Sequence, residues 1–348
     1  MKKDLFVPKN NETVKVYEQQ NAIYKDWKLE RYYITKEYSN QLKSFFIGPG
    51  DIIVSCAGTI GELYILPKEA EPGIINQALM VMRENENINK IWFCYAFNNM
   101  IDKFSSKYSN GSAIKNIPPF ADLKSYPLSI PTKEEQDKIA DFLMLIDKKI
   151  ETQNKIIEDL KLLKSSINNI LYKNINGTSY KFNDLFKEYK EYNINLLNQF
   201  TIGKYGIKEM EQSNIYSTKN HLVFHRDCLI LGIGIEEIGV SVNISGSCSP
   251  IYKIYNINNS TISTKYVYYF IRYYLVYNKN HITQKSTRRE FEIKYNELSK
   301  LILEIPSLPT QEKYVNILES LDNKIINESS LLNLFIKQKN YLLNKMFI

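Results

Sequence analysis

Two long stretches of the chain place apolar residues three or four apart, with polar residues between them. In the first they fall at Ile139, Leu143, Ile146, Ile150, Ile157 and Leu160, then at Leu163, Ile167 and Leu171. In the second they fall at Leu318, Leu321, Ile325, Leu332, Phe335, Leu342 and Met346. This spacing predicts two helices, each with a narrow seam suited to a coiled coil. Thr132 with Glu135 makes a capping box at the start of the first, and Ser307 with Pro309 starts the second. Neither has Gly or Pro beyond its first turn, so each is expected to be an unbroken rod about 60 Å long. Gln153 and Glu328 interrupt the two seams at equivalent steps.

The two stretches are copies of one another. Ile130–Gln136 reads Ile-Pro-Thr-Lys-Glu-Glu-Gln, and Ile305–Gln311 reads Ile-Pro-Ser-Leu-Pro-Thr-Gln. Pro131 maps onto Pro306, an offset of 306 − 131 = 175, which also pairs Gln136 with Gln311, Leu143 with Leu318 and Asp147 with Asp322. An internal repeat of this length sets the architecture. Ahead of the first rod, the pattern predicts strands at Asp51–Ala57, Leu63–Leu66 and Ile75–Arg83, a helix at Lys90–Phe104, a polar loop at Lys107–Lys115 and a short strand at Leu123–Ile130. Ahead of the second, Arg226–Gly232 matches the strand after Gly50, Tyr266–Val276 matches the Trp92 helix, and Gln284–Arg289 matches the polar loop. The expected organisation is a globule at 1–130, a rod at 131–175, a second globule at 176–305 and a second rod at 306–348. The fold class is α+β: two globular domains joined by two long helices, with a pseudo-two-fold internal repeat. The first rod carries the chain from one globule to the other, and the second starts there. Packing the two seams together therefore makes the helix pair antiparallel.

Composition adds limits rather than a function. The 348 residues, 44% of them hydrophobic, suit two domains of ordinary size. No run of about 18 apolar residues is present, so no membrane span is expected. The start, Met-Lys-Lys-Asp-Leu-Phe-Val-Pro, has no apolar signal segment. Cys56, Cys94, Cys228 and Cys248 show no CxxC spacing and suit reduced thiols in the cytoplasm. A formal net charge of +7 permits a nucleic-acid partner without specifying one.

The module Ile-Pro-x4-Gln, followed by Ile139-Ala140-x-Phe142-Leu143-x2-Ile146-Asp147-x-Lys149-Ile150, resembles the conserved region of type I restriction–modification specificity subunits. The Gly50-Asp51-Ile52-Ile53 strand and the Gly111-Ser112 loop are similar to features of that family. Met1 starts almost on the first domain, where many family members carry a longer lead-in. The resemblance implies a non-catalytic subunit with two target recognition domains, each reading one half of a bipartite double-stranded DNA site. It also implies that the helices set the gap and dock two methyltransferase subunits, with restriction and translocase subunits completing the complex. S-adenosylmethionine, ATP and Mg would then belong to the partners, with no cofactor, metal or catalytic residue in this chain.

The residues agree that no catalytic constellation is evident. Gly232-Ile-Gly234 begins like a dinucleotide fingerprint, but Glu237 stands where the third glycine is needed. Asn116-Ile-Pro118-Pro119-Phe120 is an adenine-methyltransferase motif interrupted by Ile117. His221, His225, Cys228 and Cys248 could be drawn as a zinc site, yet Cys228 falls in a predicted strand, where a packed thiol is the simpler reading. No P-loop is present. The two readings left in other classes are an adenine methyltransferase with a fused recognition domain and a coiled-coil scaffold that binds no DNA. For DNA contact, base edges call for Arg, Lys, Asn and Gln, and phosphates for Lys, Ser, Thr and backbone N–H. Those types gather at Lys107, Asn110, Gly111, Ser112 and Lys115 in one globule, and at Lys285, Ser286, Thr287, Arg288 and Arg289 in the other. Lys204 and Tyr205, after Gly203, form a further candidate. The expected seam of the helix pair is Leu143, Ile146, Ile150, Ile157, Leu160, Leu318, Leu321, Ile325, Leu332 and Phe335.

Overall fold

The computed structural model describes residues 3–108, 123, 125, 127–173, 175–192, 197–203, 206–211, 220–234, 237–257, 259–285 and 291–347. The chain divides into two compact units, residues 1–152 with 332–348 and residues 153–331. In the first unit, strands β1 (Thr13–Tyr17), β2 (Tyr32–Thr35), β3 (Phe46–Ile47) and β6 (Gly73–Ile75) form a sheet of order β2-β1-β6-β3. Strand β1 runs parallel to β6 and antiparallel to β2. A Cβ at Gly73 would lie 2.6 Å from the Lys15 carbonyl oxygen, so this pairing requires glycine there. Strands β4 (Ile52–Ser55), β5 (Leu63–Ile65) and β7 (Leu79–Met82) form a second sheet of order β5-β4-β7. Ile53 packs with Tyr17, Ile47 and Ile75, while Ile52 and Val54 pack against Phe97, Met100 and Ile101. A strand covered on both faces reads as a continuous apolar run, which is why Ile52–Val54 does not alternate.

The second unit repeats the plan. Strands β10 (Gln199–Gly203), β11 (Gly206–Glu209), β12 (Leu222–Phe224) and β15 (Gly246–Cys248) form a sheet of order β11-β10-β15-β12. Again the second strand of that order is parallel to the third and antiparallel to the first. Strands β13 (Cys228–Leu231), β14 (Ile238–Val240) and β16 (Lys253–Ile257) form the counterpart of the second sheet, with β9 (Phe186–Tyr189) added at its edge. The helices Lys90–Tyr108 and Thr264–Tyr277 occupy equivalent places.

Three local expectations change. Ile75–Arg83 is two strands, because the Asn76 side chain accepts a hydrogen bond from the Ala78 N–H and turns the chain. The Trp92 helix continues to Tyr108, so Lys107 lies in its last turn rather than in a loop. Residues 127–130 form no strand. Their counterpart β19 (Ile302–Ile305) is a strand because β8 (Thr178–Lys181) pairs with it, whereas the segment corresponding to β8, Lys3–Leu5, is a short 3-10 turn.

The rods are helices of 41 residues, Lys133–Lys173, and 39 residues, Leu308–Met346. The Thr132 hydroxyl accepts from the Glu135 N–H at 3.3 Å, and the Glu135 carboxylate accepts from the Thr132 N–H at 2.9 Å. Leu143, Ile157 and Leu318 are buried, and the remaining seven expected seam residues are half-buried. Leu163 is exposed instead, and Lys164 takes the inward place. Among the described residues, no helix is long and apolar enough to cross a membrane.

Within each unit the same contacts hold a globule to both rods. In the first, Asp147 receives the Tyr95 hydroxyl at 2.6 Å and the Lys339 ammonium of the other rod at 2.5 Å. In the second, Asp322 receives the Tyr269 hydroxyl at 3.1 Å and the Lys164 ammonium. Tyr95 and Tyr269 lie 269 − 95 = 174 apart, and Lys164 and Lys339 lie 339 − 164 = 175 apart, so the lysines have exchanged units. Gln136 and Gln311 are both buried. Gln136 accepts from the Asn89 N–H and donates to the Asn87 and Pro131 carbonyls. Gln311 accepts from the Ser263 N–H and donates to the Thr261 and Pro306 carbonyls. Each glutamine thus ties a rod start to the N-terminus of the helix beneath it.

Gln153 and Glu328, the two seam interruptions, meet each other. The Gln153 amide donates to the Glu328 carboxylate at 2.6 Å and to its backbone carbonyl at 3.1 Å. Lys324 stands 3.6 Å from Glu328, four residues before it, as Lys149 stands four before Gln153. Gln153→Glu should set two carboxylates face to face and cost about 2–4 kcal/mol at neutral pH. Glu328→Gln added to it should return most of the loss, because one acid and one amide then face each other again. Thermal melts of the full chain check this. A double variant no more stable than Gln153→Glu would show that the pairing is not what these residues contribute.

Candidate nucleic-acid interface

The arginine pair lies in the connection of a hairpin whose stem is well anchored. Strands β17 (Thr283–Gln284) and β18 (Glu292–Ile293) pair antiparallel, with Gln284 opposite Glu292. Ile282 and Ile293 are buried beneath the stem. Lys285 leaves the stem exposed. Ser286, Thr287, Arg288 and Arg289 lie outside the described residues, within this connection. The glycine stretch that resembled a cofactor motif serves the same stem. The Ile293 N–H donates to the Ile233 carbonyl at 2.8 Å, and Gly234 bridges to Glu292. The Glu237 carboxylate accepts from the Ile233 and Gly234 N–H groups at 3.0 and 3.2 Å. Its own acid fills the anion-binding nest that successive N–H groups would otherwise offer a phosphate.

In the first globule, Lys107 is in the final helical turn, and Asn110, Gly111, Ser112 and Lys115 lie outside the described residues. The helix leading to them is fixed: Asn99 donates to the Leu343 carbonyl at 2.7 Å and Lys103 to the Phe347 carbonyl at 2.6 Å. Lys204 and Tyr205 also lie outside the described residues; on either side of them in the sequence, Gly203 pairs with Gly206. Asn116–Phe120 is likewise outside them.

The cysteines and histidines are engaged singly. Cys228 and Cys248 are fully buried. The Cys228 thiol lies 3.1 Å from the Asn256 side-chain oxygen and 3.4 Å from the Tyr189 hydroxyl. Burial pushes the Cys248 thiol up to about 12, and the Cys56 and Cys94 thiols up to about 11. His225 meets the Glu191 carboxylate at 2.8 Å and stacks on Tyr189. Burial lowers the pKa of His221. Among the described residues, no group of three or more His, Cys, Asp or Glu could hold a metal.

Residues 1–162 match the family model described as the type I restriction modification DNA specificity domain. Among solved structures, a chain from work on complex assembly and conformational transition of the type I R-M system aligns over 98% of this chain and 95% of its own, with TM-score 0.63 and 11% identity. The type I restriction–modification S subunit from M. genitalium aligns over 100% of this chain and 91% of its own, with TM-score 0.54 and 16% identity. The likeness to these structures is one of fold. The sequence missed the Tyr95–Asp147–Lys339 and Tyr269–Asp322–Lys164 sets, although the repeat offset carries the aspartates and lysines and misses the tyrosines by one residue. It also missed Lys15 and Asn21, which hold the backbone of the segment after Ile23.

Thiol chemistry offers a check on this packing. Iodoacetamide at neutral pH should leave Cys228 and Cys248 unmodified in the folded protein, since thiolate is the reactive form and both thiols are enclosed. Added Zn2+ should leave the melting temperature unchanged. Alkylation of either cysteine without unfolding, or a zinc-dependent rise in melting temperature, would contradict the packing described.

Proposed function

We propose that this chain is the DNA-reading subunit of a type I restriction–modification complex in the cytoplasm. Residues 1–130 and 176–305 act as target recognition domains, each reading one half of a bipartite double-stranded site. The rods at 131–175 and 306–348 set the gap between the halves and dock two methyltransferase subunits. Restriction and translocase subunits complete the assembly, and S-adenosylmethionine, ATP and Mg are used by the partners. The observation carrying this reading is that one sheet order and one set of rod contacts occur twice, while the loops mounted on them differ. Two copies of a scaffold with unlike loops suit two readers of unlike sequence.

The rods also have apolar side chains to spare beyond the seam. Phe142, Met144 and Leu145 are exposed on the first rod, beside a groove of about 1000 Å3 that Tyr95, Asp141 and Lys148 also line. Leu162, Leu163 and Ile170 are exposed further along it, and Leu334 and Tyr341 on the second rod. Helices that expose this much apolar surface outside their own seam suit burial against further helices, which supports partner docking.

Arg288 and Arg289 give the direct test. Replacing both with Ala should remove about 1–3 kcal/mol of discrimination at one half-site if either reads a base, and leave the other half unchanged. The measurement is binding and methylation of duplexes that vary one half at a time, with partner subunits present. Equal loss at both halves, or none, refutes the assignment.

A further inference from the structure

The two globules differ most at one place on their shared scaffold. Strands β10 and β11 are joined by residues 204–205 alone, whereas the equivalent β1 and β2 are joined by residues 18–31. That longer connection holds the short helix Gln19–Ile23 and then Tyr24-Lys-Asp-Trp-Lys-Leu-Glu-Arg31. It is a built loop rather than a slack one. Asn21 is buried, and its amide donates to the Asp26 carbonyl at 2.9 Å and to the Leu29 carbonyl at 2.8 Å, while its oxygen accepts from the Glu18 N–H. Lys15 of β1 is 1% exposed, and its ammonium donates to the Trp27 carbonyl. That ammonium sits 4.8 Å from the centre of the Tyr17 ring and 5.7 Å from that of Trp27. Burying an ammonium is costly, and the fold places one where it holds the Trp27 carbonyl while Asn21 holds those of Asp26 and Leu29.

What the loop presents outward is cationic and aromatic. Its acids are used internally: Asp26 accepts from the Lys28 N–H at 2.8 Å, and Glu30 is held by Lys9 at 2.7 Å. The Lys28 ammonium is exposed and lies 6.0 Å from the Trp27 ring centre. The Arg31 guanidinium is exposed and lies 4.8 Å over the Tyr32 ring, which stacks on Phe6 with centroids 4.1 Å apart. Among the described residues, neither cation meets a carboxylate. A guanidinium pre-oriented on an aromatic stack loses little freedom on binding and suits two-pronged recognition of a base edge. An exposed ammonium on a rigid loop suits a phosphate.

We propose that the Tyr24–Arg31 loop is a DNA-contacting element of the first globule, with Lys28 on a phosphate and Arg31 on a base edge. The proposal rests on the DNA-reading function above and adds to it the residues by which the first globule would read. It also accounts for the unequal connections: one sheet order carries residues 18–31 at this place in the first globule and only residues 204–205 in the second.

The test uses the full chain in complex with its methyltransferase subunits and duplexes carrying the motif mapped from methylated adenines in cells that express it. Lys28→Ala should weaken binding evenly across sequences and reduce the slope of log affinity against log salt by about 0.9. Arg31→Ala should lower preference for one half-site over its single-base variants by about tenfold or more, and leave preference at the other half unchanged. Both side chains are exposed, so melting temperatures should match the unaltered chain and separate a contact from a fold defect. Unchanged affinity, salt slope and preference in both variants, or equal loss at both halves, would overturn the loop assignment while the unaltered complex still binds its motif. An unaltered complex with no sequence preference at all would overturn the DNA-reading function itself.

Discussion

A carboxylate on each rod is the point where three parts of the chain meet. Asp147 joins the Tyr95 helix of its own globule to Lys339 of the other rod, and Asp322 does the same with Tyr269 and Lys164. These are part-exposed ion pairs, so their worth lies in orientation more than in stability. A tyrosine hydroxyl and a lysine must arrive at one acid from different elements, which fixes how the helix pair sits on each globule. The aromatic contacts follow the same exchange. Phe347 packs on Trp92 at 6.0 Å, and Tyr172, 347 − 172 = 175 residues earlier, packs on Tyr266 at 5.9 Å. The end of each rod therefore finishes the core begun by the globule and the start of its counterpart.

That arrangement explains why the helical part of the chain repeats closely and the rest does not. Leu143 and Leu318, Gln136 and Gln311, and the two aspartates each have partners in several elements, so one change must be met by others. The connections between paired strands differ in length from one globule to the other. Residues 204–205 can close a strand pair in the second globule while residues 18–31 do so in the first, without altering the order of either sheet.

Much of this was legible in the sequence, for identifiable reasons. The rods showed because their seams have a helical period and no internal breaker, and the meeting of Gln153 with Glu328 was prefigured by their equal register. The buried strand Ile52–Ser55 showed as an apolar run. Ile75–Arg83 misled because Asn76 turns the chain through its side chain, a signal no hydrophobic period contains. Leu163 misled because Lys164 lies inward with its ammonium drawn to Asp322, so polarity alone placed the wrong residue on the seam. At Gly232 and Gly234 the sequence argues against a cofactor site, because Glu237 replaces the third glycine and no helix clearly follows. Their use as the base of the arginine hairpin depends on Ile293 and Glu237, which only the fold brings to them.

The central claim, that two readers are held apart by the rods, is tested most directly by changing the rods' length. Four residues inserted after Gln153 and four after Glu328 add about 6 Å to each helix and turn the seam only slightly. Methylated motifs are then read from genomic DNA of cells carrying the altered chain with its partner subunits. The account predicts unchanged half-sites separated by a spacer about two base pairs longer, since a base step spans about 3.4 Å. An active variant with an unchanged spacer would contradict it.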